Sequence, residues 1–372
     1  MALKGVKVLE FAGVAPAPFC GMILSDFGAT VLRIDKVQNS SDLDIDVLAN
    51  GKKSLAVNLK TSEGKDIIKS LAKKHDVLLE PFRPGVMEKL GLGPSVLLEE
   101  NRKLIYARLT GFGQEGLYCK RGGQDINYLG LSGLLSMFGR AEEKPTFPVN
   151  LVAGFGGGGL MCATGILLAL FERANSGLGQ IVDCSMAEGA SYLGSWLFRS
   201  QELPIWENKR GENLLDSGAH FYDVYETKDG KYLTVGAIEP HFYEQLLKTL
   251  EVEDVDYFDF KKGKDVFKKK FLEKTRDEWN DIFAQTDACA SPVLGIDEVA
   301  DFEGNRDKFV KKDNGIVIPK PGVKLSRTPG ETQALKKRPR VGQDSFEILK
   351  GLGYSEDKIR DFNSNGIIKT YT

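Results

Sequence analysis

The feature that most constrains the fold is an alternation near the start of the chain, where short apolar runs are separated by stretches with helical spacing. Runs at 6–10, 30–35, 75–80 and 103–108 read as strands, and segments at 20–26 and 62–74 read as helices. In the second helix Ile67, Ile68 and Leu71 fall on one face. Strands joined through helices cannot pair as hairpins. Each connection crosses over the sheet, so the strands lie parallel under a helical cover. The expectation is an α/β fold, with a Rossmann-like large domain spanning 1–200. Glycines at 156–159 read as a turn opening a helix to residue 173, and 180–183 leads into another helix over 186–201.

Composition then shifts. Positions 201–216 are polar and hold Pro204 and Gly211, which marks a linker. Residues 220–227 and 231–235 flank Lys228, Asp229 and Gly230 as the arms of a hairpin would. With helical segments near 240–250, 263–273 and 275–285, the stretch 217–306 reads as a smaller α+β domain. The rest, 307–372, carries helices at 342–352 and 355–361 and is expected to return to the large domain.

At 372 residues the chain is long for one core, which agrees with two domains. A net charge of −2 argues against a general nucleic-acid or membrane-surface binder. The longest apolar stretch, 160–171, covers about 12 residues, short of the roughly 20 that cross a bilayer. The first ten residues read as a strand rather than a signal or mitochondrial presequence. The last five do not spell a Ser-Lys-Leu-like address, so an intracellular, cytoplasmic protein is expected. Cys20, Cys119, Cys162, Cys184 and Cys289 lack paired spacing, which fits a reducing compartment. No His/Cys cluster has ligand spacing, so no metal is expected.

Two motifs bear on chemistry. One is Gly122-Gly123-Gln124-Asp125-Ile126-Asn127-Tyr128; the other is Asn150-Leu151-Val152-Ala153-Gly154-Phe155 followed by four glycines. With the longer words at 78–91, 102–114, 210–216, 235–243 and 286–294, they make the chain resemble, nearly end to end, the α-methylacyl-CoA racemases of the family III CoA-transferase superfamily. That family has a His at the position of Gln124 and an Asp at the position of Gly154, and the resemblance makes these its acid/base pair.

Inverting a carbon beside a thioester needs a base on one face and an acid on the other. Gln124 keeps the approximate size and hydrogen-bonding edges of His but exchanges no proton, and Gly154 has no side chain. A positioned acid or base contributes roughly 10²–10⁴-fold each. In family III transferases the same Asp is implied as the covalent acyl acceptor, which makes transferase chemistry the weaker expectation here, because Gly154 cannot be acylated. Two readings stay open. In one, the protein is an acyl-CoA-binding pseudoenzyme, alone or in a mixed dimer with an active relative. In the other, it is a working racemase with relocated groups: Asp125, Glu239 or His220.

Asp125 and Glu239 match acidic family positions flanking the His, and each also reads as a helix N-cap. His220 stands where relatives carry Pro, near the acyl pocket that the resemblance implies. His75 ends a helix, where it complements the dipole, and His241 reads as helix surface. Arg33, Lys36, Lys52, Lys53 and Arg83 fall in segments that meet the CoA phosphates in the family, with Tyr128 retained beside the motif. Gly111–Gln114 and Gly156–Gly159 offer backbone amides near the thioester. The resemblance thus implies acyl-CoA or CoA as ligand, no separate cofactor, and an interlocked homodimer.

Overall fold

The structure is a computed structural model describing residues 1–37, 46–253 and 255–371. Six strands lie parallel: β1 (Lys7–Phe11), β2 (Thr30–Asp35), β3 (Lys53–Val57), β4 (Val77–Glu80), β5 (Ile105–Thr110) and β6 (Ile181–Ser185). A separate antiparallel sheet holds β7 (Tyr222–Glu226), β8 (Tyr232–Gly236) and β9 (Ala290–Pro292), and β10 (Phe309–Lys311) pairs with β11 (Val317–Pro319). The last strand, β12 (Ile368–Lys369), joins β3 antiparallel.

The large sheet runs β12-β3-β2-β1-β4-β5-β6. The chain moves outward from β1 to β3, then jumps back to place β4 on the other side of β1. Connections leaving the carboxyl ends of β1 and β4 therefore diverge and open a crevice there. Strands β4 and β5 are buried along their whole length, which suits an apolar run covered on both faces. Helix Ser62–Ala72 forms because Thr61 caps it, its hydroxyl accepting from the Gly64 amide at 3.0 Å, and because Ile67, Ile68 and Leu71 share its buried face.

The chain divides into two compact units. The first comprises Met1–Ser132, Pro148–Leu193 and Asp307–Thr372. Its final segment adds Leu349, Ile359, Phe362 and Ile368 to the core that holds Leu9, Leu78 and Tyr106. The second comprises Gly133–Phe147 and Gly194–Arg306, with Leu246, Phe267, Phe271 and Trp279 in its own core. The helix expected over 186–201 ends at Leu193, and a new one starts at Ser195. Gly194 lies between them, where a Cβ would sit 2.3 Å from Leu134.

Residues 151–160 do not form the expected turn. They wind as π-helix and continue into the α-helix Met161–Ser176. None of the glycines at 154 and 156–159 takes a left-handed φ. Their role is to lack bulk: a Cβ on Gly157 would lie 2.4 Å from the Ala190 nitrogen, and one on Gly159 2.7 Å from the Pro16 carbonyl oxygen. Wide helical turns of this kind gather at functional sites. The joined helix of 26 residues, with an 18-residue stretch of mean hydropathy 1.8, is long and apolar enough to cross a bilayer, longer than the sequence reading allows. Of that stretch 44% is buried in the fold, where the helix packs on β5, β6 and helix Met186–Leu193.

A wholly buried ion pair lies below the first connection. The Lys52 ammonium reaches both Glu10 carboxylate oxygens at 2.8 Å and the Pro18 carbonyl at 3.0 Å. Burial pushes the Glu10 carboxyl up to about 7, with Lys52 pulling it back. Removing one partner of such a pair strands the other, so Lys52→Met is expected to cost about 3–5 kcal/mol. The double variant Glu10→Leu/Lys52→Met should recover most of that in chemical denaturation. A single variant within 1 kcal/mol (about fivefold in the folding equilibrium) of the parent contradicts the pairing.

In the second unit His220 is fully buried among Phe221, Tyr243, Phe260 and Phe267. Its Nε2 is 2.7 Å from the Tyr243 hydroxyl, and its Nδ1 has no partner. The expectation of a replacement acid is corrected here: Phe221 beside it and three aromatic residues distant in sequence enclose the ring and leave no face for a substrate. Burial lowers its pKa from 6.5 to about 4, Asp259 opposing and Lys264 reinforcing the shift. Between those values the unfolded chain takes up a proton that folded His220 refuses, so stability falls as pH drops through this window. Thermal melts of His220→Phe should lack that part of the slope between pH 6.5 and 4; an unchanged slope contradicts the assignment.

Candidate active site

The crevice predicted by strand order contains a cavity of about 140 Å³. The connection after β1 supplies Val14, Pro16 and Ala17; the one after β4 supplies Pro81, Phe82, Arg83 and Pro84. Thr110, Gly111 and Phe112 enter at the end of β5, and Cys119, Arg121, Gly122, Gly123 and Tyr128 close the far side. Close approach explains small residues here too. A Cβ on Gly13 would sit 2.4 Å from Pro81, and one on Gly111 2.3 Å from the Tyr128 ring.

A charged clamp fixes the loop after β4. The Arg108 Nε donates to Glu80 at 2.8 Å, and its other nitrogens hold Glu88 at 2.8 and 3.2 Å. The second Glu80 oxygen accepts from the Phe82 amide at 2.8 Å, so the clamp sets the backbone one residue before Arg83. Burial raises the Glu80 pKa, with the Phe82 amide and Arg108 opposing. Arg83 is exposed and lies across Gly122, where a Cβ would come within 2.9 Å of its guanidinium.

Tyr128 is buried on the cavity wall; its hydroxyl donates to the Gly123 carbonyl at 2.6 Å, and its ring meets Phe112 edge-on. Burial raises its pKa, with Arg83 opposing. Gln124 is exposed at the N-cap of helix Asp125–Leu131, its amide donating to the Asn127 side chain at 3.0 Å. Asp125 is not the cap that the sequence suggests. It is 6% exposed, and one carboxylate oxygen accepts from the Gly154 amide at 2.5 Å while the other has no partner. A Cβ on Gly154 would lie 3.3 Å from that bonded oxygen and 3.5 Å from Pro16, a cavity residue. The structure thus brings positions 124 and 154 together around Asp125, next to the cavity residues Gly123 and Pro16, and neither position carries a proton-transferring side chain.

The five basic residues do not converge. Arg83 alone among them lines the cavity. Arg33 and Lys52 are corrected from free cations to buried members of ion pairs, Arg33 with Asp35 at 2.9 Å and Asp46 at 3.2 Å. Lys36 is exposed just past the end of β2, whereas Lys53 opens β3 level with Leu32. At about 3.3 Å per residue that places the two lysines roughly 13 Å apart along the strands. Glu239 belongs to the second unit, exposed at the N-cap of helix Pro240–Leu250, where its side chain makes no capping bond. His75 receives the expected place, its ring 2.7 Å from the Leu71 carbonyl at a helix end, and His241 is exposed on its helix. No group of three or more His, Cys, Asp or Glu suited to a metal ion occurs among the described residues.

Sequence reasoning passed over Arg108, Glu80, Thr110 and Cys119. For the first two a signal existed: charged residues inside otherwise apolar strands are retained there only with a partner.

Residues 3–345 match the family model described as CoA-transferase family III. The chain is 48% identical to the mouse (Mus musculus) α-methylacyl-CoA racemase and 47% identical to the human (Homo sapiens) one, over 100% of this chain and 98% of each relative. The solved structure of a CAIB/BAIF family protein from Brucella suis has the same fold, with a TM-score of 0.80 at 21% identity over 94% of this chain and 99% of that one. A crevice at the β1–β4 divergence, with Gly122, Gly123 and Tyr128 of the first motif on its wall, and a match covering most of the chain lead to one assignment: this protein belongs to CoA-transferase family III.

Proposed function

We propose that this chain binds acyl-CoA thioesters in the β1–β4 crevice and exchanges their α-proton poorly, for want of an acid/base pair. The observation that carries this reading is the contact between Asp125 and Gly154, where Gln124 and Gly154 occupy the positions at which relatives are implied to hold His and Asp. Arg83 on its clamped loop is the cation placed to meet an anionic ligand, and Lys36 is exposed at the same carboxyl edge of the sheet. Similarity to the two racemases supports 2-methylacyl-CoA as the substrate class. A second reading has one observation behind it: the unpartnered Asp125 oxygen is a buried carboxylate that could take up a proton from a ligand.

Isothermal calorimetry should detect CoA binding, weakened about tenfold (~1.4 kcal/mol) in Arg83→Ala. Absence of binding by the parent protein overturns the proposal. In deuterated buffer, wild-type protein should add α-deuterium to a 2-methylacyl-CoA at least roughly 10²-fold more slowly than a relative with the His/Asp pair. Exchange at the relative's rate that vanishes in Asp125→Asn would favour the second reading.

The assembly we propose is a homodimer, with a mixed dimer containing an active relative as the competing arrangement. Its support within the chain is the outer face of the long helix, where Leu168 is 65% and Phe171 74% exposed beside Leu160 and Leu167. A contiguous apolar face of this kind marks an interaction surface. Sedimentation velocity should find a dimer, dissociated in Leu168→Glu/Phe171→Glu. A monomeric parent protein contradicts the arrangement.

A further inference from the structure

We propose that a second site, at the amino edge of the large sheet, binds a multiply charged phosphate anion independently of the crevice. A cavity of about 420 Å³ opens there, within the roughly 300–1,000 Å³ of small-molecule sites. Lys73, Lys74, Lys103 and Arg173 line it, with Asp76 as its one carboxylate. His75 lines it as well, but burial lowers its pKa, so it adds no charge near neutrality. Four cations thus surround one carboxylate, in a chain whose net charge is −2.

Lysines at a helix end are usually explained by its carbonyls, which attract cations. Here other groups already hold those carbonyls. Asn101 Nδ2 donates to the Ala72 and His75 carbonyls at 2.9 and 3.2 Å, and His75 Nδ1 is 2.7 Å from the Leu71 carbonyl. Arg173 donates from Nη1 to the Lys103 carbonyl at 2.9 Å and from Nη2 to Asp76 Oδ1 at 2.9 Å. The second Asp76 oxygen accepts from the Lys7 amide at 2.8 Å, so the carboxylate is fully engaged. Lys73 lies 3.3 Å from Glu100. Lys74 and Lys103 remain. Both are exposed, and among the described residues their ammonium groups have neither an ion pair nor a hydrogen bond. Asn101 and Arg173 tie the helix end, the turn before β5 and helix Met161–Ser176 into one frame, so both lysines stand on fixed backbone. A diphosphate has the charge and the acceptor oxygens to take bonds from both, the kind of charge-assisted contact they lack within the chain. Asp76 directly precedes β4 and Pro81 of the crevice directly follows it. The two sites therefore sit at opposite ends of one strand, roughly 16 Å apart along it.

The full-length protein is titrated calorimetrically with sodium diphosphate, and in parallel with ADP, at constant ionic strength. One diphosphate per chain is expected. Lys74→Gln/Lys103→Gln should weaken it at least tenfold, through the loss of two charge-assisted bonds, with the melting temperature unchanged. Arg83→Ala should leave diphosphate affinity as it is. In a second readout, diphosphate should slow acetylation of Lys74 and Lys103 by acetic anhydride, mapped by mass spectrometry, while the exposed Lys268 and Lys269 react at the rate seen without it. ADP binding more tightly than diphosphate assigns the site to a nucleotide; ADP binding no more tightly assigns it to the free anion. Three results overturn the inference: no diphosphate binding; loss of binding in Arg83→Ala, which puts the anion in the crevice; or equal weakening in Lys268→Gln/Lys269→Gln, which reduces the effect to surface charge. The acyl-CoA reading fails separately, on absence of CoA binding.

Discussion

The crevice depends on backbones packed closer than side chains allow. Gly157 lies against Ala190 and Gly189, and Gly159 lies against the Pro16 carbonyl, so the wide helix at 151–160 is wedged between the first helix and helix Met186–Leu193. A methyl group at either position would force backbone against backbone and move the elements that carry the cavity residues Pro16 and Met186. Gly154 differs. A Cβ there meets neighbours at 3.3 and 3.5 Å, so the position accepts a side chain after a small shift. Bulk does not forbid an aspartate at 154.

Charge in this fold works mainly at a distance from the ligand. Arg108 is buried between Glu80 and Glu88 and shapes the Pro81–Pro84 loop through the Phe82 amide. Lys52 and Glu10 neutralise each other under the first helix. Positions that look in sequence like a phosphate cradle thus include two cations enclosed in the fold, and Arg83 is left with its guanidinium at the cavity. Holding a loop by a buried network lowers the ordering cost of binding, since Arg83 is presented on fixed backbone before a ligand arrives.

Much of the fold was legible because buried parallel strands are apolar runs and their helices carry a periodic face; 6–10, 30–35, 75–80 and 103–108 all lie within a residue or two of observed strands. Strand β3 escaped notice because it begins at Lys53, directly after Lys52, and the burial of Lys52 rests on a partner 42 residues away. The glycine run was read as a turn because local propensity cannot report which backbones will touch. The site motifs were legible from their words, and the enclosure of His220 was not, since its cage is assembled from residues as far along the chain as Phe267. Arg33 and Lys52 failed in the same way: composition gives a charge, and only tertiary pairing says whether that charge faces a ligand.

The central claim is that a thioester crevice persists in this chain without the groups that would move a proton across it. The direct measurement is α-deuterium exchange into a 2-methylacyl-CoA by Gln124→His/Gly154→Asp, run beside the parent protein at equal occupancy. The account predicts that the restored pair raises the rate at least roughly 10²-fold. A parent protein that already exchanges as fast as the double variant, with full ligand occupancy in both, would contradict it.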